Sequence, residues 1–196
     1  MNILLIALAA ILVNNVVLSR FLGICGFLGA TKKATSAIGM SLALAFVVIF
    51  GGIISYSLYF FILVPLDLEF LRLVAFILVI ASLVQFVEMF IKRFVPSLYK
   101  SLGIYLPLIT TNCVVLTVAL DVAAVSGGVP DYTFLTMVVY VFASAVGFGL
   151  VTVLFSYIQE RLANTPNMPK AFQGPASALL IAGLMAIAFL GFKGMI

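Results

Sequence analysis

Long uncharged segments dominate the chain, because its few charged residues fall into short clusters. A membrane-spanning helix needs about 20 consecutive, mostly apolar residues. Four of the uncharged runs reach that length outright. A fifth reaches it when Arg72 and Glu88 are included near its ends, and the first continues past Arg20 into a glycine-rich tract. The pattern predicts six membrane-spanning helices, at residues 3–24, 37–62, 70–91, 101–122, 132–158 and 174–194.

The composition agrees with a membrane protein and excludes several other classes. Hydrophobic residues make up 65% of the 196 residues and charged residues 8%, whereas a soluble domain averages about 45–50% and about 25%. So few charges cannot cover a water-facing surface, which excludes a cytosolic globule, a disordered chain and a nucleic-acid binder. Alternation of period two, which is typical of strands, is absent. We therefore predict an all-α integral membrane protein surrounded by lipid.

Basic residues between the spans predict the orientation of the chain. Lys and Arg near the ends of spans are retained on the cytoplasmic side of a membrane. Seven basic residues fall in the first, third and fifth loops and two fall elsewhere, near the ends of spans 3 and 6, so we expect both termini on the outer side. The seven are Lys32, Lys33, Lys92, Arg93, Lys100, Arg161 and Lys170, and the two are Arg72 and Lys193.

A weak internal repeat divides the chain into halves. The sequence LVNNVVLS, which begins at Leu12, aligns with TTNCVVLT, which begins at Thr110, so that Asn14 falls on Asn112 at an offset of 98. The same offset overlays span 2 on span 5 and span 3 on span 6. Because three spans is an odd number, the second copy must be inverted across the membrane. We predict one membrane domain, residues 1–196, built from two inverted three-helix repeats, at about residues 1–98 and 99–196.

Polar residues interrupt the first and fourth spans. Asn14 and Asn15 lie in span 1, and Thr110, Thr111 and Asn112 lie in span 4. Such residues usually hydrogen-bond to a neighbouring helix or to their own backbone, so a packing role is the favoured interpretation. Inverted-repeat membrane proteins, however, place functional sites at broken helices near the midplane, which leaves a ligand-binding role open.

Glycine and proline residues predict broken helices in spans 1 and 4. Three glycines, at positions 23, 26 and 29, follow Arg20 at intervals of three. Close helix packing is one interpretation, but beside a charged residue the glycines favour a turn back toward the membrane centre. Pro107 interrupts span 4 in the same way. We therefore expect a non-straight backbone between Ser19 and Gly29.

Two carboxylates, Glu88 and Asp121, are the closest to membrane depth. Ionisable residues inside a membrane are functional candidates by default, so both are candidates for a path taken by ions. Glu88 also lies four residues before Lys92, the favourable order for an ion pair within one helix. A pair at the helix end is therefore the simpler interpretation of Glu88.

The two cysteines, Cys25 and Cys113, both lie beside a predicted helix interruption. A buried cysteine is most often a small hydrophobic residue. A disulfide would need the two Cα atoms within about 7 Å and an oxidising compartment. A third interpretation is a 2Fe–2S cluster, which takes four thiolates, or two thiolates and two histidines. The chain has no histidine, so such a cluster would need ligands from another subunit.

Three motifs resemble the A subunits of Rnf complexes, which are ion-translocating ferredoxin:NAD oxidoreductases of bacteria and some archaea. The motifs are FLGICGFLG with KK following, LVNNVVLS, and above all YLPLITTNCVVL, which begins at Tyr105. The resemblance covers the whole chain. Rnf A subunits are closely similar to the E subunit of the sodium-translocating NADH:quinone reductase, and the continuation LTVALDV favours the A type over the paralogous Rnf E type. The resemblance implies a translocase subunit in the bacterial inner membrane.

In this family the motif cysteines, here Cys25 and Cys113, resemble ligands of a 2Fe–2S cluster at the boundary with the paralogous E-type subunit. Each chain would give two ligands. The resemblance implies a non-catalytic electron-relay subunit, with ferredoxin, NADH and flavins handled by other subunits. Donors near the sulfurs would tune the cluster. The candidates for such support are Gly23, Gly26, Thr111 and Asn112.

The chain departs from the family pattern at two positions. Gly26 stands where family members often have proline, and Thr117 stands where they often have glycine. Neither departure removes a cysteine. Both positions affect the backbone beside a proposed ligand.

Other functions fit the same pattern of spans. Two inverted triplets with polar residues near the midplane also describe a secondary transporter without a redox role. A purely structural anchor for soluble redox subunits is a third hypothesis, which predicts that replacing both cysteines is harmless. Within the family, the alternative is the E subunit of the quinone reductase. Iron content separates the redox subunit from the transporter.

Overall fold

The computed structural model describes residues 3–26, 34–66, 69–94, 109, 111–128, 134–164 and 175–194. The regular elements in these residues are helical, which confirms the all-α class for this part of the chain. The α-helices are α1 (Ile3–Leu8), α2 (Val16–Arg20), α3 (Ala34–Leu58), α4 (Arg72–Phe94), α5 (Cys113–Gly128), α6 (Phe134–Ala163) and α7 (Pro175–Leu190). The π-helical turns Ala9–Val13 and Tyr59–Leu63 continue α1 and α3, and 3-10 turns cover Glu69–Leu71 and Gly191–Gly194.

Three helices in the described residues are long and apolar enough to cross a membrane. They are Ala34–Leu63, Arg72–Phe94 and Phe134–Ala163, and they correspond to predicted spans 2, 3 and 5. Shorter apolar helices, Cys113–Ala123 and Ala176–Leu190, occupy parts of spans 4 and 6. The set of apolar helices is confirmed, whereas six complete spans and the inverted repeat stay predictions. Pro107 lies outside the described residues.

The core of the described structure lies between α3 and α6, and α5 packs on α3. Small residues let these helices approach closely, as in many membrane proteins. A Cβ atom on Gly52 of α3 would lie 3.1 Å from both methyl carbons of Val141 in α6. Met40 of α3 and Phe148 of α6 are among the largest fully buried side chains. This pair of helices is the scaffold on which the broken segments rest.

The helix α4 lies at the edge of the described structure. Only 18% of its apolar stretch is buried, against 44% for Ala34–Leu63 and 50% for Phe134–Ala163. Its exposed side chains include the large apolar residues Leu78, Phe86 and Met89. In a membrane protein such a surface contacts lipid or another subunit.

The first predicted span is broken at its two adjacent asparagines. The backbone N–H of Asn14 donates to the carbonyl of Ala9 at 2.7 Å and ends the π-helical turn. Asn15 then has an extended conformation, with φ −61° and ψ 119°, before α2 begins. Residues 3–20 therefore form two helical pieces instead of one straight helix.

A second change of direction follows α2. Phe21 adopts a left-handed conformation with φ 54°, and Gly23 has φ 84°. The left-handed region is accessible to glycine and costly for most other residues. The predicted bend between Ser19 and Gly29 is thus confirmed for residues 19–26, and Gly29 lies outside the described residues.

Asn15 satisfies the polar groups that the first break exposes. Its side-chain oxygen accepts from the N–H of Val17 at 3.1 Å. Its side-chain NH2 donates to the carbonyls of Ile11 at 3.1 Å and Gly147 at 3.0 Å. Gly147 permits this approach, because a Cβ there would lie 3.0 Å from Asn15 Nδ2 and 3.2 Å from the Ile11 carbonyl oxygen. The packing interpretation of the polar residues therefore holds for Asn15.

We expect Asn15→Ala to lower the free energy of unfolding by about 2–4 kcal/mol, since it removes a helix cap and two further buried hydrogen bonds. Asn14→Ala is the matched control, because the adjacent Asn14 is exposed, and its effect should stay below about 1 kcal/mol. Thermal unfolding of the two purified variants in one detergent makes the comparison. Equal losses for both variants would contradict the structural role of Asn15.

Candidate functional site

Cys25 lies in a helical turn that follows the bend and includes residues 24–26. Gly23, with its positive φ, precedes this turn, and the backbone N–H of Gly26 donates to the carbonyl of Gly23 at 3.1 Å. The thiol of Cys25 is free and exposed. The turn therefore presents the thiol at the surface of the chain instead of burying it as a small hydrophobic group.

Cys113 is the first residue of α5, and its thiol is also free and exposed. The residue before it, Asn112, caps the helix, since its side-chain oxygen accepts from the N–H of Val114 at 3.0 Å. The hydroxyl of Thr117 donates to the carbonyl of Cys113 at 2.7 Å. Helix geometry at this end is therefore set by the residues on either side of the cysteine.

The turn that carries Cys25 lies against the start of α5. A Cβ on Gly23 would lie 2.6 Å from Cγ2 of Val114 and 3.4 Å from Oδ1 of Asn112. A Cβ on Gly26 would lie 3.5 Å from Nδ2 of the same Asn112. The two glycines that flank Cys25 thus contact the two residues that flank Cys113. The structure brings together two segments that lie 88 residues apart in the sequence.

Asn112 has an unusual hydrogen-bonding state. Its side chain is almost fully buried, with 2% of the residue exposed. Its Nδ2 atom has no hydrogen-bond partner among the described residues, whereas Nδ2 of Asn15 has two. Buried polar groups are nearly always paired, so an unpaired donor beside a cysteine needs an explanation.

An open groove of about 490 Å³ lies beside Cys113, and its walls are mostly apolar. Helices α4 and α5 form its sides. Thr111, Asn112, Cys113 and Thr117 place polar atoms along one wall. The remaining lining residues are Leu22, Ile77, Ile80, Ala81 and Leu116.

Arg20 and Asp121 form an ion pair that the sequence analysis did not anticipate. Nη1 of Arg20 lies 2.9 Å from Oδ1 and 2.8 Å from Oδ2 of Asp121. The hydroxyl of Tyr140 in α6 donates to Oδ2 of Asp121 at 3.0 Å. Both carboxylate oxygens of this candidate ion-path residue are therefore engaged within the chain.

Glu88, the other candidate ion-path residue, lies on α4 and is partly buried. It shares a shallow surface cleft with Ser82, Gln85 and Lys92 of the same helix. These polar groups stand on a helix whose surroundings are otherwise apolar. The cleft is the most polar surface that the structure describes on α4.

The described residues contain no group of three or more His, Cys, Asp or Glu side chains that could hold a metal ion. The sequence predicted the cysteines and Asn112 from their motif, but it offered no sign of Tyr140, because a tyrosine in an apolar helix is ordinary.

The apolar helices, the broken first span and the neighbouring cysteine segments define an integral membrane protein that carries two exposed thiols. A family model described as "Rnf-Nqr subunit, membrane protein" matches residues 3–196. The chain belongs to the Rnf-Nqr family, which confirms the resemblance seen in the motifs.

Relatives of known family cover the chain almost completely. It is 51% identical over 195 residues to the A subunit of the ion-translocating oxidoreductase complex of Ectopseudomonas mendocina. It is 52% identical over 195 residues to the A subunit of the Na(+)-translocating ferredoxin:NAD(+) oxidoreductase complex of Acetobacterium woodii. Both alignments cover 100% of this chain and 98% of the relative. The corresponding protein of Alcanivorax borkumensis is 49% identical over 192 residues, covering 98% and 96% of the two chains.

Gly23→Ala should destabilise the chain by about 1–3 kcal/mol, because alanine is strained at the observed φ and its Cβ would clash with Val114. Gly183→Ala in α7 is the control, since a Cβ there would have no atom of the described residues within 4 Å apart from the backbone of its own helix. The measurement is the unfolding temperature in detergent. A Gly23 variant as stable as the Gly183 variant would show that the close contact is dispensable.

Proposed function

We propose that this chain is the A-type membrane subunit of an Rnf-type, redox-driven ion pump. Its role is to relay electrons, and it carries no catalytic residue of its own. In this proposal Cys25 and Cys113 hold a 2Fe–2S cluster together with two cysteines of a paralogous E-type subunit. The proposal rests on the observation that two exposed thiols lie on segments that contact each other. The name of the Acetobacterium woodii relative supports the assignment to such a complex.

The donor set of the chain fits a cluster shared between two subunits. A 2Fe–2S centre is held by four thiolates, and this chain has two cysteines and no histidine. Both thiols are exposed, so ligands from a second chain have access to the same site. When bound, the cluster supplies one-electron transfer. Cys113 also lies at the N-terminal end of α5, where the helix dipole favours negative charge.

Asn112 is the best-placed side-chain donor for such a site. Its buried Nδ2 has no partner among the described residues, and Asn112, the residue next to Cys113, is one of those that line the groove. Hydrogen bonds to cluster sulfurs favour the more charged redox state and so raise its potential. Thr111 lines this groove as well. The N–H of Gly26 is already engaged by Gly23, so the two glycines contribute the shape of the turn.

The apolar surroundings of the site support a location at membrane depth. Cys113 opens an apolar helix, and most residues that line the groove beside it are apolar. The hydrocarbon core of a membrane is about 30 Å thick. An electron carrier held between its faces divides this distance into two shorter transfers.

We further propose that the chain resides in the bacterial inner membrane, as six spans in two inverted repeats with both termini outside. The bias of basic residues toward the odd-numbered loops supports this orientation. The other Rnf subunits, which bear ferredoxin-, NADH- and flavin-binding sites, complete the electron path in this proposal. The quinone reductase relative is the alternative complex.

A secondary transporter without a redox role is the second candidate function. The observation in its favour is the asparagine-supported break in an apolar segment, a feature of transporters with inverted repeats. Iron analysis of the purified complex distinguishes the two candidates. A transporter would contain no iron and would show no visible absorption band.

Cys25→Ser and Cys113→Ser should each abolish the 2Fe–2S signal in electron paramagnetic resonance, because hydroxyl groups are poor ligands for this cluster. Ferredoxin-driven NAD reduction by the complex should be lost with the signal, while the variant chain stays in the membrane. Thr117→Ser is the control, since it keeps the hydroxyl that bonds the Cys113 carbonyl. A full signal in the double Cys25→Ser/Cys113→Ser variant would end the proposal.

Glu88→Gln should reduce ion uptake by the complex more than it reduces electron transfer, because the charge that attracts a cation within the apolar helix is removed. Gln85→Ala, in the same cleft, alters the surface without changing charge and serves as control. Ion uptake and NAD reduction are measured on the same vesicles. If their ratio is unchanged in Glu88→Gln, Glu88 is only a charge on the helix surface.

A further inference from the structure

The ion pair between Arg20 and Asp121 connects the two segments that carry the cysteines. Arg20 is the last residue of α2, five positions before Cys25. Asp121 lies on α5, eight positions after Cys113. The hydroxyl of Tyr140 adds α6 to the same contact. One polar cluster therefore links both cysteine segments to the scaffold helix.

The short helix α2 depends on contacts with its neighbours. It has five residues, and an isolated helix of that length is unstable, because nucleation costs more than its few hydrogen bonds return. Asn15 fixes its start to the carbonyl of Gly147 in α6. Arg20 fixes its end to Asp121 in α5. The position of the Cys25 turn, which follows closely after α2, results from these two attachments.

The surroundings of Asp121 make the second attachment strong. Asp121 is the ninth of the sixteen residues of α5 and the only charged residue in that helix. An unpaired carboxylate at the centre of an apolar helix is costly in a membrane. Nη1 of Arg20 lies within hydrogen-bond distance of both carboxylate oxygens, and the Asp121 side chain is 22% exposed against 47% for Arg20. Separating the pair would therefore leave a largely covered carboxylate without its cation.

We propose that Arg20, Asp121 and Tyr140 form a clamp that positions the thiol of Cys25 relative to that of Cys113. The inference rests on the proposed function and assigns these three residues as positioning residues for the thiol pair. In this role Asp121 is held by Arg20 and does not bind the transported cation.

The first test needs no cluster. The full-length chain in membranes is treated with a thiol cross-linker that has a two-carbon spacer, and the Cys25–Cys113 product is measured. We expect the product in the wild type and its loss in Asp121→Asn and Arg20→Gln. The exchanged pair Arg20→Asp/Asp121→Arg should restore it. Wild-type cross-linking in both single variants would overturn the clamp, whatever the exchanged pair does.

The second test uses the purified complex. Groups that orient metal ligands typically contribute about 10–100-fold in affinity, so we expect iron retention against a chelator to weaken by about tenfold in Asp121→Asn. The line shape and midpoint potential of the remaining resonance signal should change as well. Ion uptake and electron transfer should then fall together. A normal signal with a selective loss of ion uptake would overturn the clamp and assign Asp121 to the ion path.

Two milder variants separate positioning from general damage. Tyr140→Phe keeps the ion pair and removes one hydrogen bond, so it should shift the potential in the same direction by a smaller amount. Ser57→Ala in α3 removes a bond to the Ile53 carbonyl, outside the clamp, and should leave the signal unchanged. An unaltered potential in Tyr140→Phe together with wild-type cross-linking in Arg20→Gln contradicts the clamp. Absence of any 2Fe–2S signal in the wild-type complex would instead refute the proposed function, and the cross-linking test would still decide the clamp.

Discussion

A break in a membrane helix leaves backbone N–H and C=O groups that lipid cannot satisfy, and this constraint organises both cysteine segments. Asn15 and Asn112 meet it in the same way, since each side-chain oxygen accepts the N–H two residues further on. Each unsatisfied group would otherwise cost several kcal/mol. Because the caps stabilise the breaks, α2 and α5 begin inside predicted spans. Cys113 is therefore the first residue of α5, and the turn that contains Cys25 follows the short helix α2.

The side-chain NH2 groups of the two capping asparagines have different hydrogen-bonding states. This difference distinguishes the first break, which is bonded to α6, from the break beside Cys113. The NH2 of Asn15 donates to the carbonyls of Ile11 and Gly147, and the bond to Gly147 connects the first break to α6. The NH2 of Asn112 lies beside the Cys25 turn and has no partner among the described residues. One break is thus completed within the chain. At the other break, this donor stays without a partner among the described residues, on the residue next to an exposed cysteine.

The sequence predicted the elements whose signal is local and failed where a contact joins distant residues. Spans 2, 3 and 5 follow from long uncharged runs, and the bend after Arg20 follows from its glycines. The repeat alignment paired Asn14 with Asn112, whereas the capping roles pair Asn15 with Asn112, one position away. Runs of valine and leucine fit either register, so only the hydrogen bonds distinguish them. The family resemblance predicted that the two cysteine segments lie close together, but it did not predict the glycine contacts between them.

The contact of Arg20 with Asp121 also revises the depth expected for these charges. Loop charges place the end of span 1 and the end of span 4 on opposite sides of the membrane, where two straight helices would keep these residues far apart. In the structure, neither residue lies where a straight helix would place it. Helix α5 continues to Gly128, so Asp121 lies in its middle and not at its end. Span 1 is broken at Asn15, so Arg20 ends a short inner piece instead of reaching the far surface. Two charges predicted near opposite ends of their spans thereby meet beside α5, with 47% of the Arg20 side chain and 22% of the Asp121 side chain exposed, and each charge gains its partner there.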